Sequence, residues 1–178
     1  MGAGLILGFV ANLLMAAVQA AGSLIDLFGG FTISQSMDPF SNAQSSVFGR
    51  IYQLLATTLL FAINGHLMLV KGFMNSFEAV GTTGFNMAGV SDLLINSFVK
   101  FFVAALEIAG PLLAALFLAE IVLGLLSRAA PQMNVFALGF PLKILITLLL
   151  AGVALPLLPD AVNNLTHEVV RAGAAVIR

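Results

Sequence analysis

Four long apolar stretches dominate this chain and constrain its fold more than any other feature. They span about residues 4–27, 47–77, 93–128 and 135–158, and the first holds no charged residue before Asp26. Each stretch reaches the roughly 20 residues that a helix needs to cross a bilayer. We therefore predict an all-α integral membrane protein with about four long hydrophobic helices, whose backbone polar groups bond within each helix.

The scarcity of charge excludes several classes of protein. Only 8% of the 178 residues are charged, against roughly 25% in a soluble domain. A formal net charge of −1 offers no basic surface for nucleic acid. The chain has no cysteine, and it lacks the HExxH, GxSxG and P-loop patterns of common enzymes. We expect no catalytic site, no metal and no cofactor.

The third stretch is too long for one simple membrane crossing. Its roughly 36 residues would extend about 54 Å as a helix, whereas the hydrocarbon core is about 30 Å thick. Gly110 and Pro111 lie near its middle and predict a kink there, because proline removes a helix hydrogen bond. Two readings stay open: two short helices, or one bent helix that extends beyond the bilayer or is buried in protein.

Residues 160–178 form an amphipathic C-terminal segment. Asp160 follows Pro159 and is predicted to cap a helix. The apolar positions recur at spacings of three and four residues, as on one helical face: Val162, Leu165, Val169, Ala172 and Val176. This pattern predicts a helix that either lies on a membrane surface or packs against a partner.

The first two stretches each carry polar residues at helical spacing. The set in the first stretch is Asn12, Gln19, Ser23 and Asp26, and the set in the second is Arg50, Gln53, Thr57, Asn64 and Lys71. Polar groups in lipid are costly, so each helix is expected to turn this face toward protein or water. The faces serve helix packing in one interpretation and line a water-filled path in the other.

Glu120 and Lys143 lie at equal distances from the centre of a hairpin made by the third and fourth stretches. Each charge alone costs roughly 3 kcal/mol near the middle of a membrane. We predict that they form an ion pair across the hairpin. The alternative is that both side chains extend outward to the interface.

Three regions carry a family resemblance. The first runs from Ala20 to Asp26 and continues through Gly30-Phe31, Met37-Asp38-Pro39 and Gly49-Arg50; the other two are Asn64-Gly65-His66 and residues 128–143. Together they resemble the FliR family of flagellar export proteins and its SctT-type counterparts in virulence secretion. The matching motif residues outside the first region are Asn64, Gly65, His66, Arg128, Pro131, Gln132, Phe136, Gly139, Phe140 and Pro141.

The resemblance implies a place in a type III protein export gate. Members of this family join FliP-like and FliQ-like subunits in the bacterial inner membrane, at the flagellar basal body, with FlhB and FlhA nearby. Unfolded flagellar subunits pass through the gate. The match covers about the C-terminal two-thirds of the family, and the family's opening helices have no counterpart in it.

The resemblance also implies a division of the chain. Residues 1–92 correspond to a FliP-like part, residues 93–159 to a FliQ-like helical hairpin, and residues 160–178 to a tail. Within the first part, the loop over residues 28–46 corresponds to a plug of the closed channel. Its candidate plug residues are Phe31, Ile33, Met37, Asp38, Pro39 and Phe40.

The residues of this loop suit a plug. Large apolar side chains alternate with serine, threonine and glutamine, and Pro39 prevents continuation of a helix. Flexible methionine adapts to a changing surface. The alternative is a loop that simply packs against neighbouring helices.

Three classes of function follow. The first is a non-enzymatic structural and gating subunit of a protein export channel, with a flagellar system favoured over a virulence system. The second is a small-solute transporter or channel subunit that uses the polar faces and the Glu120–Lys143 pair. The third, an intramembrane enzyme, lacks a motif to support it.

Overall fold

A computed structural model of the protein describes residues 2–31, 46–80, 87–132 and 134–175. Six α-helices account for most of this part of the chain: α1 (Gly2–Gly29), α2 (Val47–Ala62), α3 (Gly65–Val80), α4 (Met87–Ala129), α5 (Val135–Ala154) and α6 (Leu158–Ala175). A three-residue 3₁₀ turn, Leu155–Leu157, joins α5 to α6. The all-α prediction is confirmed, since the described residues include no strand.

Helix α1 lies at the centre and contacts each of the other five helices. Its buried apolar residues follow a spacing of three and four, which places them on one face: Val10, Leu14, Ala17, Val18, Ala21 and Ile25. Tyr52 of α2, Leu112 of α4 and Val162 of α6 belong to the same buried cluster. The core therefore forms around α1, while α4 and α5 leave large apolar side chains exposed on their outer faces.

The second apolar stretch is broken into two helices. Helices α2 and α3 meet at a 75° bend, where Asn64 has a φ of +57°. Asparagine tolerates this left-handed conformation better than most residues, and it ends the α-helical hydrogen bonding of α2. The prediction of one continuous polar face from Arg50 to Lys71 is therefore wrong, because Lys71 lies on the far side of the bend.

The third stretch is a single helix of 43 residues that continues through Gly110 and Pro111. The two-helix reading is therefore wrong. At 1.5 Å per residue α4 is about 64 Å long, roughly twice the thickness of a hydrocarbon core. Ala105, Ala109 and Leu112 are buried in the chain, so α4 is partly covered by protein. The kink at Gly110–Pro111 stays a prediction.

Helix α6 begins at Leu158, two residues before Asp160. The predicted capping role of Asp160 is therefore wrong: the 3₁₀ turn with Pro156 leads directly into the helix, and Asp160 lies in the first turn, where a negative charge still favours the helix dipole. Val162, Leu165 and Val169 are buried in contacts with α1, α2, α3 and α4. The amphipathic helix thus packs against the chain itself; Val176 lies outside the described residues.

Three helical stretches are long and apolar enough to cross a membrane: Gly4–Gly29, Ser91–Ala129 and Ala137–Ala172. The bent pair α2–α3 makes a fourth if it forms one span. By length and composition, this agrees with the predicted set of about four hydrophobic helices.

Candidate functional site: the loop base and the polar groove

A buried carboxylate joins the end of α1 to the start of α2. Asp26 is fully buried, and its Oδ2 accepts hydrogen bonds from the Phe48 N–H at 3.0 Å and from the Ser46 hydroxyl. Ser46 Oγ in turn accepts the Gly49 N–H at 2.8 Å. These bonds satisfy N–H groups that the first turn of a helix leaves without partners. They also hold the two ends of the predicted plug loop together.

The other side of this loop base rests on α5. Gly30, which has a φ of +84°, follows the last residue of α1 and lies beside the ring of Phe140. Gly29, the last residue of α1, lies against Thr147. The Phe31 N–H donates to the Asp26 carbonyl at 3.0 Å, and the Phe31 ring meets the Phe48 ring edge-on at 5.3 Å.

Phe31 therefore belongs to the anchored base of the loop. The other five candidate plug residues, Ile33, Met37, Asp38, Pro39 and Phe40, lie outside the described residues.

Helices α1 and α2 cross at two glycines. A Cβ on Gly22 would lie 2.5 Å from the Phe48 carbonyl oxygen, and a Cβ on Gly49 would lie 2.8 Å from Ser23 Oγ. Only a residue without a side chain permits this approach. Both glycines belong to the first region of family resemblance, but no pattern in the sequence predicts that they meet.

The polar faces of α1 and α2 come together in a groove, which we call the α1–α2 groove. Its volume is about 550 Å³, and the described residues that line it include six polar ones: Gln19, Ser23, Ser46, Arg50, Gln53 and Thr57. The predicted polar faces thus meet over part of their length. Asn12, by contrast, is exposed away from the groove.

Glu120 and Lys143 face each other across the α4–α5 hairpin, and the Lys143 ammonium contacts Glu120 Oε2. This is the contact that the hairpin register predicts. The Glu120 side chain is 62% exposed and that of Lys143 is 20% exposed. A cavity of about 340 Å³ lies beside the pair, next to Gly139 and Phe140.

We expect a double-mutant cycle on Glu120→Ala and Lys143→Ala to show a coupling of roughly 0.5–1 kcal/mol, as for partly exposed ion pairs. Thermal unfolding of the protein in detergent measures the four free energies. The cycle of Glu107→Ala with Lys143→Ala is the control, and its effects should add, because Glu107 forms no ion pair with Lys143. A coupling of zero for the Glu120–Lys143 cycle would contradict the role of the pair.

A second ion pair, which the sequence analysis missed, ties α4 to α6. Lys100 Nζ contacts Glu168 Oε2, and Arg171 Nη1 lies 3.4 Å from Glu168 Oε1. Lys100, Glu107 and Glu168 line a cavity of about 400 Å³. The sequence places Glu168 off the apolar face of α6. No local pattern links it to Lys100, because 68 residues separate the two.

Two of the resembling regions form turns. A Cβ on Gly65 would lie 3.2 Å from the Leu60 carbonyl oxygen, so glycine allows the start of α3 to approach the end of α2 closely. His66 lies beside the Phe61 ring, with the ring centroids 4.9 Å apart. In the other region, the exposed Arg128 lies in the last turn of α4. Its positive charge favours that end of the helix dipole.

The α4–α5 turn follows. Pro131 and Gln132 are exposed there, and Asn134 caps α5 by accepting the Ala137 N–H at 3.2 Å. Phe136, Gly139, Phe140 and Pro141 lie in the first two turns of α5. This region therefore sets the register of the α4–α5 hairpin.

Comparison with known proteins agrees with the resemblance. Residues 1–169 match the model of the family described as "Bacterial export proteins, family 1". The flagellar biosynthetic protein FliR of Bacillus subtilis is 34% identical over 98% of this chain and 70% of its own length. FliR of Escherichia coli is 32% identical over 98% of the chain and 67% of its own length.

A relative named for protein translocation shows the same kinship. The Yop proteins translocation protein T of Yersinia pestis is 33% identical over 83% of this chain and 58% of its own length. The match of a family model to nearly all of the chain, together with relatives above 30% identity, establishes its membership. This chain therefore belongs to bacterial export proteins, family 1.

Proposed function

We propose that this chain is a structural and gating subunit of a flagellar type III export gate, which passes unfolded flagellar subunits across the inner membrane. The observation that carries the proposal is the family match over residues 1–169, joined to relatives named for flagellar biosynthesis and for protein translocation. These names favour protein export over transport of small solutes.

Coverage favours the flagellar system over a virulence system. The chain aligns over 98% of its length with FliR of Bacillus subtilis, against 83% with the Yersinia translocation protein. The identities themselves, 34% and 33%, are nearly equal. The virulence-type gate is therefore the second candidate.

We propose FliP-like and FliQ-like subunits as direct partners, with FlhB and FlhA nearby, in the inner membrane at the flagellar basal body. Residues 1–92 would form the FliP-like part and residues 93–159 the FliQ-like hairpin. Because α4 already begins at Met87, the boundary at residue 92 falls inside a helix, and the hairpin is better taken from residue 87. The exposed apolar faces of α4 and α5 suit packing against lipid and such partners.

Membership of the gate is tested by co-expression. The tagged chain is produced with FliP-like and FliQ-like proteins of the same organism and purified in detergent. We expect one complex that contains all three proteins in fixed proportions. Recovery of the chain alone, together with uptake of a small solute by liposomes that contain only this chain, would contradict the export function and favour the transporter.

The plug proposal predicts an ion leak. Replacing Ile33, Met37 and Phe40 by serine, with the anchored Phe31 retained, should raise the conductance of the closed complex several-fold in planar bilayers, because a plug built from these residues would lose its apolar side chains. The control is Leu67→Ser, at a side chain of α3 that is 58% exposed and lies outside the loop and outside the proposed FliQ-like hairpin. Equal conductance of the loop variant and the wild-type complex would count against a plug.

A further inference from the structure

The α1–α2 groove is polar in a chain that is 60% hydrophobic. Its lining includes two amides, three hydroxyls and one guanidinium, a composition that lipid would not favour. Among the described residues that line it, Leu54 alone is apolar. The groove is therefore a surface for water or for a polar chain.

Two hydroxyl groups that line the groove bond within their own helices, whereas three longer side chains bond to no described residue. Ser23 Oγ donates to the Gln19 carbonyl at 3.1 Å, and Thr57 Oγ1 donates to the Gln53 carbonyl at 2.9 Å. Within the described part of the chain, no hydrogen bond or ion pair engages the side chains of Gln19, Gln53 or Arg50. The groove thus offers free amide donors and acceptors on both helices.

Free amides on both sides of a groove suit one kind of ligand. Every residue of an extended polypeptide except proline presents one N–H donor and one C=O acceptor, and a glutamine amide matches both. Such contacts do not depend on the side chains of the ligand. Arg50 is the one charged group among the described residues that line the groove, so the preference for charge should be small and toward acidic segments.

The position of the groove connects it to the loop base. Ser46 lines the groove and is also bonded to Asp26 at the base of the predicted plug loop. The groove therefore adjoins the base of that loop. We propose that the α1–α2 groove is a contact surface for the backbone of the polypeptide in transit; this inference rests on the proposed export function.

Single-cysteine cross-linking tests the groove, and the absence of natural cysteine removes background. Gln53→Cys and Thr57→Cys place thiols in the groove. Thr58→Cys is the matched control, because Thr58 is exposed next to Thr57 and also donates to the carbonyl four residues earlier, at 2.9 Å, but does not line the groove. The probe is an export substrate that carries cysteines along its length and is stalled in the assembled complex by a fused, tightly folded domain.

We expect disulfide cross-links to the stalled substrate from Gln53→Cys and Thr57→Cys, at least five-fold above the yield from Thr58→Cys, and a loss of the signal when the substrate is not stalled. Equal yields from Thr57→Cys and Thr58→Cys would overturn the inference. So would cross-links from the groove to a neighbouring subunit alone.

Export activity separates the two possible failures. If the single-cysteine complexes export the unfused substrate but the groove positions do not cross-link, the groove assignment alone is wrong. If the complex that contains the cysteine-free chain does not export at all, the proposed function is wrong, and the groove assignment fails with it.

Discussion

Gly22→Ala is expected to lower the free energy of unfolding by roughly 1–3 kcal/mol, the range measured when extra carbon is forced into a packed interior. The new Cβ would lie 2.5 Å from the Phe48 carbonyl oxygen and 2.6 Å from the Gly49 nitrogen. Both are backbone atoms that cannot rotate away, so α1 and α2 must move apart. The higher helix propensity of alanine, worth about 1 kcal/mol, offsets only part of the loss.

Gly8→Ala in the same helix is the matched control. A Cβ at this position meets no atom of the described residues within 4 Å, so we expect only the gain in helix propensity, and stability should stay the same or rise by up to about 1 kcal/mol. Thermal unfolding in detergent compares the two variants, and recovery of the complex reports assembly. Equal stability of the two variants would show that the α1–α2 crossing tolerates a side chain.

Asp26→Ala is expected to cost about 2–4 kcal/mol and to disrupt the base of the loop. Oδ2 of this carboxylate accepts from both the Ser46 hydroxyl and the Phe48 N–H. Hydrogen bonds to a charged group contribute roughly 1.5–3 kcal/mol each, and buried donors left without a partner add a penalty. Unfolding in detergent measures the stability, and bilayer conductance reports whether the loop base still holds.

Asp26→Asn distinguishes the hydrogen bonds from the charge. Since both bonds end on one oxygen, an amide whose oxygen takes the place of Oδ2 keeps both acceptor contacts. We expect this variant to lose less than half of the stability that Asp26→Ala loses. Asp92→Ala, which removes an exposed carboxylate of α4, is the control and should change stability by no more than about 0.5 kcal/mol. If Asp26→Ala matched this control, the loop base would not depend on Asp26.

Local patterns predicted much of the helical structure. The apolar stretches became α1, α4 and α5, because a helix in a membrane needs only length and hydrophobicity to satisfy its backbone. The spacing of Val162, Leu165 and Val169 correctly predicted the buried face of α6. The register of a hairpin follows from its turn, so Glu120 and Lys143 could be paired in advance.

The break at Asn64 was missed although a local signal for it exists. Asparagine followed by glycine is a common turn pair, and here Asn64 adopts the left-handed conformation. A hydropathy profile does not show this break, because the stretches on both sides of Asn64 are apolar. The beginning of α6 was misplaced for a related reason. With Asp160 as the cap, α6 would begin at residue 161, whereas it begins at Leu158, because Pro156 is compatible with a 3₁₀ turn that continues into a helix.

The sequence alone determined that this chain is a set of long apolar helices, since composition and periodicity act within one helix or one hairpin. It also indicated the family, through motifs of which two include the turns at Asn64 and between α4 and α5. Only the tertiary structure decided that Gly22 meets Phe48, that Asp26 caps α2, that Lys100 pairs with Glu168, and that two polar faces form one groove. The physical reason is that these contacts depend on the angle and separation at which distant helices pack, and many side chains across the whole core set that geometry together.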